Sequence, residues 1–120
     1  MNLRNRVQLI GNLGAAPVVR DFGNNKKLAR FSVATTDVFK KGNDLIKDTQ
    51  WHNIVAWDKL ADIAEKNLRT GTEVVIDGRL MRRSYEDTRG FKQYITEIVV
   101  ETLLYNNSKL EEEKIIEKRA

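Results

Sequence analysis

No cysteine occurs anywhere in the 120 residues. That single absence removes disulfides, thiolate metal sites and cysteine nucleophiles together, and it fits a reducing compartment. Histidine is almost as scarce. His52 stands alone, so neither a Cys/His cluster nor an H-E-x-x-H pair can form, and no metal or catalytic group is expected. "GNLG" at residues 11–14 lacks the lysine and the strand–loop–helix setting of a phosphate-cradling loop. The one proline, Pro17, marks no linker, and no internal repeat is visible. Long apolar runs are missing too. The opening "MNLRNRVQLIGNLG" is broken by Gln8 and Gly11, which fits neither a secretory signal nor a membrane span, and nothing later reaches the roughly 18 apolar residues a spanning helix needs. These absences predict a soluble, cytoplasmic, single-domain, non-enzymatic protein without cofactors. Asp58, Asp62 and Asp77 are the carboxylates a metal-dependent nuclease would use. The first two lie one helical turn apart, where helix capping and solvation explain them better.

What is present is positive charge and strand-like alternation. Lysine plus arginine number 21 against 17 acidic residues, a formal net charge of +4, which favours polyanionic partners without naming one. The last twelve residues, 109–120, carry four charges of each sign, so the excess belongs to the body of the chain.

"VQLIGNL" reads as a first strand, with Gly11 suited to a bulge or a close backbone approach. "VVRDF" is a short extended piece, and "GNN" turns the chain into "LARFSVATT". There Ala29, Phe31 and Val33 alternate with Arg30, Ser32 and Ala34, the pattern of a half-buried strand. "KKGNDLIKDT" is too charged for core and reads as a protruding hairpin or mobile loop. The tryptophan strand "TQWHNIVAW" follows. After it Asp58 is placed to cap a helix whose Leu60, Ile63, Ala64 and Leu68 share a face, with Gly71 as the stop. "EVVIDGRLMRRSY", kinked at Gly78, and the long "FKQYITEIVVETLLY" complete the series, joined by the turn "EDTRG". Three strands, one helix and two strands predict an all-β fold with one helix, a five-stranded Greek-key barrel of OB type.

The tryptophan strand poses the functional question. Alternation puts Trp51, Asn53, Val55 and Trp57 on one face and His52, Ile54 and Ala56 on the other. The second face suits a barrel interior. The first sets polar Asn53 between two indoles whose N–H groups an interior would have to satisfy. By itself the strand leaves core plug and exposed platform equally open. Further aromatics lie beside cations: Phe39 before Lys40 and Lys41, Tyr85 after Arg82 and Arg83, and Trp57 two residues before Lys59. That pairing suits single-stranded nucleic acid, whose phosphates need cations and whose unstacked bases need flat surfaces. Simple solvation explains most of the lysines better. Arg82, Arg83 and Tyr85 are explained by it least.

"NRVQLIGNLG", "ARFSVATT", "TQWHNIVAWDKLA" and "GTEVVIDGRL", in this order and spacing, resemble the bacterial single-stranded DNA-binding protein family over roughly residues 3–105. The resemblance implies the OB barrel over residues 1–105, followed by a short charged extension, 106–120. It implies stacking aromatics at Phe39, Trp51, Trp57 and Tyr85, and phosphate contacts at Arg6, Lys59, Arg82 and Arg83. A homotetramer is implied as well, with His52 near a subunit contact. The expected function is non-specific binding and protection of single-stranded DNA in replication, recombination or repair, in the cytoplasm and at the nucleoid. Alternatives are a replication-restart accessory or protein-interaction module of the same fold, and a single-stranded RNA binder, since stacking does not distinguish sugars. Phe39 and Tyr85 stand where many relatives carry tryptophan, and Asn53 and Thr70 where relatives often carry a basic residue. The family's Gly/Pro/Gln-rich tail with its acidic tip is not matched by "SKLEEEKIIEKRA". Recruitment of replication and repair proteins is therefore not expected, and a secondary paralogue is suggested.

Overall fold

In a computed structural model, residues 3–107 are described. The elements are β1 (Val7–Leu13), β2 (Val18–Gly23), β3 (Lys26–Lys41), β4 (Asp44–Trp57), α1 (Lys59–Asn67), β5 (Glu73–Glu86) and β6 (Lys92–Asn106). Residues 108–120, and with them the expectations for the charged extension, lie outside the described residues.

Five strands close the barrel in the order β1-β5-β6-β4-β3, and β3 returns to β1 through Asn12↔Ala34 and Leu13↔Val33. β2 pairs with β3 at Val18↔Arg30 to Asp21↔Lys27, on the same edge that receives β1 further along, so β1 and β2 act as one interrupted strand. Closure demands close backbones at two glycines. A Cβ on Gly11 would stand 2.2 Å from the Ala34 carbonyl oxygen, and one on Gly78 2.2 Å from that of Val99. Opposite Gly78 the β5–β6 register also shifts, a bulge that leaves Glu101 of β6 as the extra residue and bends that strand around the barrel.

The interior follows the expected alternation. Ala29, Phe31 and Val33 of β3 and Ile54 and Ala56 of β4 point inward against Val74, Ile76, Ile98 and Val100. The helix closes one end with Ala61, Ala64 and Leu68. Here the expected stripe is corrected. Ile63 is exposed and Ala61 takes its place, because the face that meets the barrel is centred on two alanines that let the helix sit close. Asp58 does not cap. Its φ is 53°, it makes no side-chain cap hydrogen bond, and its carboxylate accepts the Lys27 backbone N–H at 3.2 Å instead. No described helix is long and apolar enough to cross a membrane.

The charged "KKGNDLIKDT" segment is a hairpin. β3 and β4 stay paired out to Lys41↔Asp44 and turn over Gly42, whose φ of 64° suits glycine. A second ribbon, β5–β6, runs out to Glu86↔Lys92. Two long hairpins thus leave one small barrel, and they frame the candidate site.

Candidate nucleic-acid interface

β4 and β6 run parallel and share only the register pairs Ile54↔Ile98 and Val55↔Val99 before they diverge into separate ribbons. A groove of about 590 Å³ occupies the neighbouring surface, lined by Gly14, Arg30, Trp51, Asn53, Ile95 and Glu97 among others. Register fixes what faces it. Trp51, Asn53 and Trp57 of β4 share the outer side with Ala34, Ser32 and Leu28 of β3. On the other ribbon Arg83 pairs with Ile95 and Tyr85 with Gln93, on the side that carries Glu97.

Trp51 is 61% and Trp57 42% exposed, whereas Ile54 between them is 1% exposed. Neither tryptophan plugs the barrel. The Trp51 ring lies directly over Gly14, where a Cβ would come within 2.6 Å of Cζ3. Trp57 stacks on Phe22 of β2, with ring centroids 6.4 Å apart and planes inclined by 27°, and Arg20 lies 5.3 Å from the Phe22 centroid. Val55 points outward yet is 3% exposed. Arg30, its partner across β3–β4, bonds Glu97 on β6, so the arginine chain crosses β4 at this level and covers the valine.

The remaining expected residues fall in different places. Tyr85 is exposed, with the Arg83 guanidinium carbon 6.0 Å from its ring centroid. Arg83 Nε donates to Glu97 Oε1 at 2.7 Å, and this bond is the first cause holding the guanidinium above its ordinary pKa. Lys59 is exposed at the first turn of α1, beside a hollow shared with Asp21, Lys27, Asp58 and Asp62. Phe39 is exposed but pairs with Ile46, and its alternation matches Val33 and Thr35, so it occupies the opposite side of its ribbon from Trp51. Arg82 likewise lies across the ribbon from Arg83, its guanidinium carbon 4.2 Å from the Tyr94 ring centroid. Arg6 is on the β1–β5 wall, away from the groove. Its Nε and Nη2 donate to Asp77 at 3.1 and 2.8 Å, and that pairing raises its pKa. His52 is half-buried, its Nε2 2.8 Å from Thr35 Oγ1.

The three carboxylates of the nuclease reading are dispersed. Asp62 pairs with Lys27 at 2.8 Å, Asp58 meets the Lys27 backbone, and Asp77 holds Arg6. Sequence reasoning missed Phe22, Arg20, Arg30, Tyr94 and Glu97. A signal existed for Phe22 and Arg20, an aromatic beside a cation in "VVRDF". For Arg30 and Glu97 none did, because their meeting depends on strands 67 residues apart.

A model of the single-strand binding protein family matches residues 4–105. The chain is 44% identical over 97 residues to "Single-stranded DNA-binding protein 1" of Chlorobaculum tepidum, which covers 79% of this chain and 60% of that relative. It is 40% identical over 102 residues to a "Single-stranded DNA-binding protein" of Bacteroides thetaiotaomicron, covering 82% of this chain and 63% of the relative. The matches thus span less than two thirds of those relatives' lengths. Among solved structures, "Plasmodium falciparum SSB complex with ssDNA" is similar, with a TM-score of 0.76 and 30% identity over 88% of this chain and 99% of that one.

Proposed function

Because this chain belongs to the single-strand binding protein family, we propose that it binds single-stranded DNA without strong sequence preference and protects it during replication, recombination or repair. Residues 1–105 form the binding domain, and 106–120 are a short charged extension whose first residue still completes β6. One observation carries the reading: the two tryptophans of a barrel strand face outward, Trp51 lining a groove together with Arg30, while their alternate neighbours fill the core. Bases stack on Trp51, Trp57 and Tyr85, with Phe39 serving the far side of its ribbon. Phosphates are neutralised by Lys59, Arg82 and Arg83, and least by Arg6, whose charge Asp77 already balances.

The protein acts without catalysis, in the cytoplasm and on the nucleoid, and single strands should survive incubation with it and magnesium or manganese. It assembles as a homotetramer. On the edge away from β5, β1 pairs with β3 only at Asn12 and Leu13, so Val7–Gly11 lack a second neighbouring strand among the described residues. Ile10↔Val75↔Leu104 form a row across β1, β5 and β6, with Ile10 63% and Leu104 61% exposed. His52 is assigned to a subunit contact, and His52→Tyr should weaken assembly. Light scattering that finds a concentration-independent monomer would remove the tetramer. The function itself is tested by titrating oligo-dT, oligo-U and duplex in parallel against tryptophan fluorescence. Quenching by oligo-dT well below the concentration needed for duplex is expected. Stronger response to oligo-U would make the protein an RNA binder, and no response to either strand would end the reading.

A further inference from the structure

Glu97 is the only buried charged residue among the described residues, and its side chain is 7% exposed. Both carboxylate oxygens are committed. Oε1 accepts from Arg83 Nε of β5 at 2.7 Å, and Oε2 accepts from Arg30 Nη1 of β3. The two arginine side chains are 41% and 43% exposed, so each remains open to solvent while it holds the carboxylate. A guanidinium is a planar fork with donors along more than one edge, and it can hold a carboxylate with one and a phosphate with another.

Two roles for Glu97 are physically distinct. In the first it stands in for a phosphate and releases the arginines when a strand arrives. Release would leave a buried carboxylate without a partner, which is strongly unfavourable. In the second it keeps them. Resting on the reading of this groove as a single-strand site, we infer that Glu97 is a positioning residue. It pins Arg30 and Arg83 by one edge each, so that their outward edges form one preset phosphate clamp on the face of Trp51 and Tyr85. Arg30 thereby becomes a phosphate contact. The cluster carries a formal charge of one positive unit, from two arginines and one carboxylate, and so matches one phosphate. Holding both forks in advance removes side-chain ordering that binding would otherwise have to supply.

The test uses wild type, Glu97→Gln and Arg30→Lys in the oligo-dT fluorescence titration at fixed salt. Glu97→Gln removes a negative charge from the groove, so charge alone predicts tighter binding. Positioning predicts the reverse, a loss of about tenfold. Arg30→Lys keeps the charge but has no second edge, and a similar loss is expected. Should Glu97→Gln not fold, the wild-type protein still decides through the nuclear magnetic resonance of its arginine side chains. The Arg83 Nε–H should be slowly exchanging in the free protein and remain so when oligo-dT is added, while the Nη signals move. Binding by Glu97→Gln as tight as wild type or tighter overturns the proposal, as does loss of Arg83 Nε–H protection on oligo-dT addition. Wild type that does not bind oligo-dT overturns the function reading and this one with it. Wild type that binds while the folded variants match it overturns only this one.

Discussion

Gly14→Ala should weaken strand binding without replacing any expected contact residue. The new Cβ would stand 2.6 Å from Cζ3 and 2.9 Å from Cη2 of Trp51. Carbon atoms rest comfortably at ~3.5–4.0 Å, so the ring must retreat by about 1 Å. The backbone does not oppose the change, because Gly14 is not among the residues with positive φ. Nor should stability suffer much. The ring is 61% exposed and can move toward solvent, so the unfolding free energy should stay within ~1 kcal/mol of wild type. Stacking of one base on an aromatic is worth ~1–3 kcal/mol, and a displaced ring keeps part of it. A loss of about half, ~0.5–1.5 kcal/mol, corresponds to binding roughly two- to thirteen-fold weaker. The assay is oligo-dT titration followed by a label on the DNA, so that variants lacking Trp51 can be compared. The decisive arm is the double-mutant cycle. In a Trp51→Ala background, Gly14→Ala should cost nothing further. An equal loss in both backgrounds would show that the ring does not carry the effect, and the stacking role of Trp51 would lose this support.

Three further outcomes can be measured. Gly11→Ala drives a Cβ against backbone, 2.2 Å from the Ala34 carbonyl oxygen, where no side chain can give way. It should destabilise by ~1–3 kcal/mol or more in denaturant unfolding, and a neutral result would mean that β1 and β3 are not this close. Asp87 accepts the Phe91 and Arg89 backbone N–H groups, and those bonds, Phe91 first, hold its pKa below the ordinary carboxylate value against the raising effect of burial. A depressed folded-state pKa gives stability that is whole above the unfolded value and lost as pH falls through the folded one. Amide signals of Arg89 and Phe91 should therefore titrate together below about pH 3.9, and a midpoint at or above that value would contradict the turn structure. In the salt dependence of oligo-dT affinity, Arg83→Ala should reduce the slope by about 0.7, one phosphate's share, and Arg6→Ala by clearly less. Equal changes would show that Asp77 does not neutralise Arg6.

Much of this barrel could be read from period-two alternation, and what could not be read needed knowledge of tertiary partners. Ala29, Phe31 and Val33 point inward as expected, and Ile54 and Ala56 separate from Trp51 and Trp57 as their spacing predicts. Alternation is local, so it needs no knowledge of partners. Phe39 and Arg82 are named from neighbouring cations and from the family resemblance, neither of which says which side of a ribbon a residue faces. Once β3 runs to Lys41 and β5 to Glu86, parity applies to the tip, and each of the two residues lies across its ribbon from the groove side. The helix error is similar in kind. Leu60, Ala64 and Leu68 pack on the barrel as expected, but large Ile63 faces out and small Ala61 sits beneath the helix instead. Asp58 had the residue type of a cap, yet its backbone turns to φ 53° and its carboxylate goes to β3. The Arg30–Glu97–Arg83 cluster was invisible for a stronger reason: it needs the β3–β4, β4–β6 and β5–β6 registers all at once.

Those same registers divide the outer wall into two surfaces that do not compete. Outward residues of β3 and β4 lead to the tryptophans and the groove, whereas outward residues of β1, β5 and β6 lead to Ile10, Val75 and Leu104. The register shift opposite Asp77 and Gly78 leaves Glu101 of β6 as the extra residue, so the bulge lies on a strand that both surfaces share. Before it, β6 carries Ile95 and Glu97 on the groove side. After it, the strand contributes Leu104 to the apolar row. A bulge adds one residue to one side of a ladder and bends that strand, so a single element can serve two differently directed walls. An alanine at Gly78 would meet the Val99 carbonyl oxygen at 2.2 Å and disturb this bend. Self-association through the apolar row would leave the tryptophan groove open. A subunit can then hold its neighbours and a DNA strand together, as the proposed tetramer requires.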